Sequence, residues 1–314
     1  MRENRDRIPK QRSRIVHELC FISNMSPQLD AASIAGLSLH DPIYFKVQES
    51  QTLHRLVLLK QWGISSGSKV LELGCGQGDC TAVLASAVSE QGRVVAVDPA
   101  DLDYGAPYTL GQAQSHISEG SLGERITWVQ QSPLDYLSSL PSTEDKIFDA
   151  TVLAHSLWYF ASPSLILSTF RALKQHSKRL LLAEWSLVAT RPSAQPHVLA
   201  ALAQASLECR KPNSESNIRT VLSPKRLTEL ALAAGWQLEK ETLVQGEEGL
   251  LDGNWEVSAC LSSAFEKEVT EKVSDEREQA VIFAARDACE ASLNSVEGGR
   301  KGVRSMDVWV ASFV

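Results

Sequence analysis

Residues 70–79 read Val70-Leu71-Glu72-Leu73-Gly74-Cys75-Gly76-Gln77-Gly78-Asp79. The first part, Lys69 to Leu73, is a short apolar run of the kind that forms a buried strand. A Gly-x-Gly-x-Gly turn follows, and the spacing predicts a helix over 79–88. Glycines let such a turn tighten and let a ligand lie against bare backbone. The helix start adds free N–H groups and the positive end of the helix dipole. The spacing is not the Gly-x-Gly-x-x-Gly of dinucleotide folds. On its own a glycine trio is also what a tight connection in any α/β protein looks like. Asp98 sharpens it, closing a second strand, Arg93 to Asp98, twenty residues after Gly78. A carboxylate there can accept hydrogen bonds from both hydroxyls of a ribose.

Outward from this unit the alternation continues. Upstream, Phe45, Leu53, Leu56, Val57 and Leu59 predict a helix over 43–62, started by Asp41-Pro42 and ended by Gly63. Downstream, a helix is expected over 109–119, strands over 125–129, 147–153 and 179–185, and a helix over 164–174. That cadence means a parallel sheet covered on both faces. The rhythm then changes. A helix over 197–210 is followed by a polar loop, and Ser223-Pro224 opens another helix, stopped by Gly235. A sixth strand is expected over 236–244. Residues 247–290 carry twelve acidic and four basic side chains, a local net of −8, and read as one or two solvated amphipathic helices. The strand SMDVWVASFV, 305–314, closes the chain.

The expected organisation is a basic, weakly ordered lead-in over 1–40 and one domain over 41–314. That domain carries a lid-like insertion near 190–222 and an acidic helical insertion near 247–304. The segment RIPKQRSR near the start reads as a solvated arm, with a nuclear or mitochondrial address as the alternative.

Composition narrows the function. The 314 residues are 43% hydrophobic and 22% charged, which fits a globular chain rather than a disordered one. With 31 basic against 38 acidic side chains the net charge is −7, so the bulk charge supplies no footprint for a nucleic acid. No apolar run approaches the ~20 residues of a membrane span. The six cysteines show no Cys-x-x-Cys pair, which fits reduced thiols and a cytoplasmic location. No metal-ligand cluster is visible, so no metal is expected.

Glu72-Leu73-Gly74-Cys75-Gly76-Gln77-Gly78 followed by Val97-Asp98 resembles the cofactor signature of class I S-adenosylmethionine-dependent methyltransferases. The resemblance covers roughly 45–245 plus the terminal strand. It implies a Rossmann-like, mostly parallel α/β sheet of seven strands in the order 3-2-1-4-5-7-6, the last strand antiparallel. Tyr104-Gly105, HSLWYF, AEW and NIRTVLSP look most like small-molecule methyltransferases of secondary metabolism. S-adenosylmethionine is then the cofactor and S-adenosylhomocysteine the product. Gly74, Gly76 and Gly78, with Cys75 as a small filler, would pack against its methionine part and ribose. Asp98 would bind the ribose hydroxyls, Pro99 would border the adenine, and Glu72 would hold the turn or an ammonium group. Where the family often has an acidic residue that reads the adenine amino group, this chain has Gln131-Ser132. Ala154 and His155 would lie beside the sulfonium.

In this fold the loops after the fourth and fifth strands face the reaction. His155 is the base candidate, because an imidazole titrates near ~6.5; a loop-holding histidine is the alternative. Glu184 ends a buried strand and needs a partner, either catalytic or a structural one such as Arg219 or His197. Trp158, Tyr159 and Trp185 can wall a substrate or pack in the core. His197, Asn217 and Arg219 lie in the lid-like insertion and orient a substrate or anchor the loop. Tyr44, Gln51 and His54 sit on or near the 43–62 helix and can touch cofactor or substrate, and Tyr104 borders the adenine end.

The leading expectation is methyl transfer to an O, N or C atom of a small organic acceptor, a natural-product intermediate. The alternatives are a methyltransferase-like cyclase or isomerase and a non-catalytic regulator of this fold. The expected partner is the small-molecule substrate, with no nucleic acid and no membrane; the amphipathic insertion can build a homodimer.

Overall fold

The computed structural model describes residues 29–141, 145–211, 214, 216 and 218–314. Seven strands form one sheet: β1 (Lys69–Leu73), β2 (Arg93–Asp98), β3 (Ile126–Gln130), β4 (Ala150–Ala154), β5 (Leu180–Trp185), β6 (Leu238–Val244) and β7 (Val308–Phe313). Their order is 3-2-1-4-5-7-6, as the resemblance implies. β1 to β5 pair in parallel, and β7 runs antiparallel between β5 and β6, with Val310 opposite both Ala183 and Thr242.

The central strands read as unbroken apolar runs because both their faces are covered. Val70, Val94, Val152, Leu181 and Val308 face one layer, with α2 (Phe45–Trp62) and α3 (Asp79–Val88) over them. Leu71, Leu153, Leu182 and Trp309 face the other, under α6 (Pro163–His176) and α8 (Pro224–Ala233). Trp62 fixes α2 to the sheet, its indole donating to the Leu182 carbonyl at 3.3 Å.

Several boundaries differ from the sequence expectation by a few residues, and three of the differences change the picture. β4 starts at Ala150, because Phe148 makes an isolated bridge to Ser177 instead of joining the strand. The chain before residue 41 is packed from residue 31: α1 (Ala31–Ala35), capped by Asp30, buries Ile34 and Ala35. The acidic segment forms three helices rather than one or two: α9 (Asp252–Cys260), α10 (Ser263–Lys272) and α11 (Glu276–Asn294). Ser262 and Asp275 divide them by capping α10 and α11 through their side chains.

These three helices and α7 (Gln195–Glu208) share a core of their own. Ala200, Ala203 and Leu207 pack there with Val257, Cys260, Val269, Ile282 and Leu293. The two insertions therefore form one helical cap, joined to the sheet through the α7 start and Met306. The remaining helices are α4 (Leu110–Glu119) and α5 (Pro133–Ser139). Among the described residues no helix is long and apolar enough to cross a membrane.

Candidate active site

The glycine turn joins β1 to α3 with all three glycines at positive φ: 78° at Gly74, 52° at Gly76 and 98° at Gly78. Its backbone is pinned to β2. Gly74 and Cys75 donate to the Val97 carbonyl at 2.8 and 3.3 Å, and Gly76 donates to Asp98 Oδ2 at 2.8 Å. The glycines are required for two different reasons. A Cβ on Gly74 would stand 2.4 Å from Ser156 Cβ, whereas a Cβ on Gly76 would meet nothing within 4 Å. Gly74 lets β4 close against the turn; Gly76 leaves an open face at the carboxyl end of the sheet. Gly74→Ala is expected to destabilise the fold by about 2–4 kcal/mol, from overpacking plus a left-handed backbone. Urea denaturation checks it, and an unchanged midpoint contradicts it.

Asp98 sits beside that open face. One of its oxygens accepts from Gly76 N–H and the other from Ala100 N–H at 2.9 Å. Each carboxylate oxygen keeps a further lone pair, which is what two ribose hydroxyls need. Glu72, one turn deeper, is buried and accepts from the Thr81 hydroxyl at 2.6 Å. Burial raises its pKa to about 7 against the help of Thr81 and Cys80.

A raised carboxyl pKa means that the folded chain holds this proton where the unfolded chain has lost it. Its contribution is full below about pH 4.5 and is lost as pH rises through about 7. His54 and His197, buried and held neutral, push the other way. The comparison of variants isolates the carboxyl: between pH 4.5 and 7, Glu72→Gln is expected to gain on wild type by on the order of 3 kcal/mol. Parallel urea midpoints for the two proteins across that range would contradict it.

At the end of β4 lies a second group of residues. His155 has a φ of 54° and donates its backbone N–H to the Ala183 carbonyl at 2.8 Å. Its Nε2 stands 2.8 Å from Nε2 of His54, which α2 carries and which is fully buried. Its Nδ1 faces Glu184 Oε1 at 3.7 Å. Glu184 takes three backbone N–H groups: Leu157 at 2.9 Å and Trp158 at 3.3 Å on one oxygen, Trp185 at 2.9 Å on the other. Its partners are therefore these amides and His155, not Arg219 or His197. Trp185 lies among three imidazoles, with centroids 4.4 Å from His155, 5.0 Å from His197 and 6.4 Å from His54.

His197 is buried on α7, and its Nδ1 accepts the Met306 N–H at 3.0 Å. That bond fixes the proton on Nε2, and burial lowers the pKa to about 4, so the ring is neutral. Arg55, next to His54, reaches Gln51, which in turn donates to Asp252 of α9 at 3.0 Å. Four buried nitrogens here lack a hydrogen-bond partner among the described residues: Nδ1 of His54, Nε of Arg55, Nδ1 of His155 and Nε2 of His197. Buried polar atoms are rarely left so.

A methyltransferase-domain family model matches residues 70–178, from the glycine turn through α6. Methyltransferase phomM' of Diaporthe leptostromiformis is 30% identical over 280 residues, covering 77% of this chain and 72% of that protein. The chain belongs to the class I S-adenosylmethionine-dependent methyltransferases. Methyltransferase phomM of the same organism is 29% identical over 280 residues, with the same coverage. Among solved structures, a cyclopropane-fatty-acyl-phospholipid synthase-like protein from Lactobacillus casei ATCC 334 is 32% identical with a TM-score of 0.77. The match covers 90% of this chain and 98% of that one.

The structure of this methyltransferase sorts the residues that the sequence singles out. Glu72, the glycines, Asp98, Ala154 and His155 lie at the carboxyl ends of β1, β2 and β4, the expected end of the sheet. Cys75 is a buried filler, its thiol pushed up by burial and then by Glu72 and Asp98. Pro99 and Gln131 are exposed. Ser132 caps α5, its hydroxyl bonded to the Asp135 carboxylate and amide.

Trp158 is a correction. It is only 2% exposed and donates its indole N–H to the Leu222 carbonyl, while its own carbonyl accepts from Arg219 and Thr220. It anchors the segment before α8, the core role that stood as the alternative to a substrate wall. Arg219 Nε donates to the Ser216 carbonyl at 2.9 Å, which is loop anchoring. Tyr44 is 64% exposed at the start of α2. Tyr159 is 49% exposed, and its phenol is pushed up by desolvation and then by Glu184, Glu256 and Asp252. Asn217 lies outside the described residues.

Sequence reading gave His54 no specific role and missed Arg55. Among the described residues no group of His, Cys, Asp and Glu is placed to hold a metal ion. An open groove of about 410 Å³ lies at the opposite end of the strands, lined by Ser65, Ser68, Asp149, Lys178 and Arg179, away from all of these groups.

Proposed function

We propose that this methyltransferase acts on an O, N or C atom of a small organic acceptor, a natural-product intermediate in the cytoplasm. The observation that carries this reading is the meeting of two half-sites at one end of the sheet. The open face of Gly76 with Asp98 forms one half; His155, Glu184 and Trp185 form the other.

The residues present fit S-adenosylmethionine. Gly76 leaves room for it, and Asp98 has lone pairs left for its ribose hydroxyls. Arg55, with its unpartnered Nε and a charge felt by Glu72, would meet its carboxylate. When bound, the cofactor supplies a methyl group on a positively charged sulfur. The remaining work falls to the protein. Trp185 and Tyr159 wall the acceptor. The cap of α7 and α9–α11 keeps water out, which holds acceptor and methyl in line without competition. His155 takes the proton that a hydroxyl or ammonium acceptor must lose. Glu184, fixed by three amides, supplies a negative charge 3.7 Å from the ring that becomes positive.

The test is a panel of phenols, amines and carboxylic acids incubated with S-adenosylmethionine, read by S-adenosylhomocysteine release and product mass. A product heavier by one methyl group supports the reading. A rearranged product of unchanged mass, with no S-adenosylhomocysteine, favours the cyclase alternative.

A further inference from the structure

From the pairing of His54 with His155 we infer that His54 is a positioning residue, which accepts the Nε2 proton of His155 and leaves Nδ1 of His155 as the bare, basic nitrogen. The inference rests on the proposed role of His155 as the proton acceptor, and it says which atom does the work and why.

The geometry supports it in steps. Two Nε2 atoms 2.8 Å apart need one proton between them, so one ring donates and the other accepts. His155 can receive a proton from a substrate only on the edge that His54 does not occupy, which is Nδ1. Nδ1 makes no hydrogen bond in the free protein: Glu184 Oε1 stands 3.7 Å away, beyond hydrogen-bond reach. A proton on Nε2 does find a partner, in His54. The neutral pair then carries two protons on four nitrogens, and the acceptor's proton becomes the third, on Nδ1 of His155. The heteroatom that loses this proton keeps its electron pair, so the charge on the pair rises by one. The Nε2–H···Nε2 bond becomes charge-assisted at that moment.

The charged groups around the pair fit this assignment. Arg55 on the same helix opposes a charge on His54, and burial holds His54 neutral. Glu184 of β5 faces His155. His197 of α7 acts on His155 from across Trp185 and is itself neutral, with Asp252 of α9 acting on it. The positive charge is thus directed to His155 and away from His54.

Nitrogen-15 and carbon-13 NMR of histidine-labelled protein tests this without an acceptor, with S-adenosylhomocysteine titration as the check on fold and cofactor site. In wild type the neutral ring of His155 is expected to show a bare Nδ1 and a protonated Nε2. His54→Phe, which keeps an aromatic ring beside Trp185, should scramble that tautomer, so that a large share of the neutral His155 rings carry the proton on Nδ1. His54→Gln, whose amide oxygen can accept the same proton, should restore the wild-type tautomer. A protonated Nδ1 in neutral wild-type His155, or an unchanged tautomer in a folded His54→Phe protein, overturns the inference. Either result leaves the base role of His155 to be judged separately, by the turnover of His155→Ala.

Discussion

Replacing His155 by alanine is expected to lower kcat by about 10²–10⁴-fold, the usual worth of a positioned general base. S-adenosylmethionine affinity should stay within about threefold of wild type, because Asp98 and the glycine turn do not depend on the imidazole. The ring does more than stand near the reaction. It sits at the end of β4 on a left-handed backbone, φ 54°, held by the Ala183 carbonyl, an arrangement that side chains rarely adopt without compensation. Its Nδ1 faces a carboxylate whose own hydrogen bonds prevent it from turning away. The measurement is steady-state turnover with an acceptor found in the panel, beside a calorimetric Kd for the cofactor. Full turnover in the variant would remove His155 as base and leave proximity and alignment as the sole means of transfer.

Asp98→Ala is expected to weaken S-adenosylmethionine binding by about 100-fold or more, about 2.7 kcal/mol. Two losses add. The carboxylate no longer accepts from ribose hydroxyls, and charge-assisted bonds of this kind are worth about 1.5–3 kcal/mol. The Gly76 and Ala100 amides also lose their acceptor, so the turn itself loosens. Asp98→Asn keeps one carbonyl oxygen and should fall between. Unaltered affinity in Asp98→Ala would sink the assignment of the ribose to this residue.

The sheet was legible because its signals are local. Gly74, Gly76 and Gly78 punctuate a strand and a helix, Asp98 closes the next strand, and apolar runs at regular intervals give the rest. The errors came where local signals were weak or were read for the wrong purpose. Ile147 and Phe148 look like strand residues, yet the pairing of Phe148 with Ser177 lies off the ladder. Ser132-Pro133 with Asp135 is a helix-start pattern, and the serine hydroxyl serves that cap. Ser262 and Asp275 were available as cap signals that split the acidic segment.

The catalytic half of the site was less legible because it is tertiary. His54 and His155 are 101 positions apart, and nothing in either segment announces the other. A signal was nonetheless present. Gln51, Thr52 and His54 are polar residues on the side of α2 that the fold buries, and buried polar groups need partners. Trp158 failed in the opposite direction. An aromatic after β4 reads as a substrate wall, but its indole is taken by Leu222 across the fold.

Isothermal titration of the intact protein with S-adenosylmethionine and with S-adenosylhomocysteine tests the account most directly. The glycine turn, Asp98 and Arg55 predict that both ligands bind one to one with micromolar affinity. A folded protein that gives no heat with either ligand would contradict the assignment of this end of the sheet as a working cofactor site.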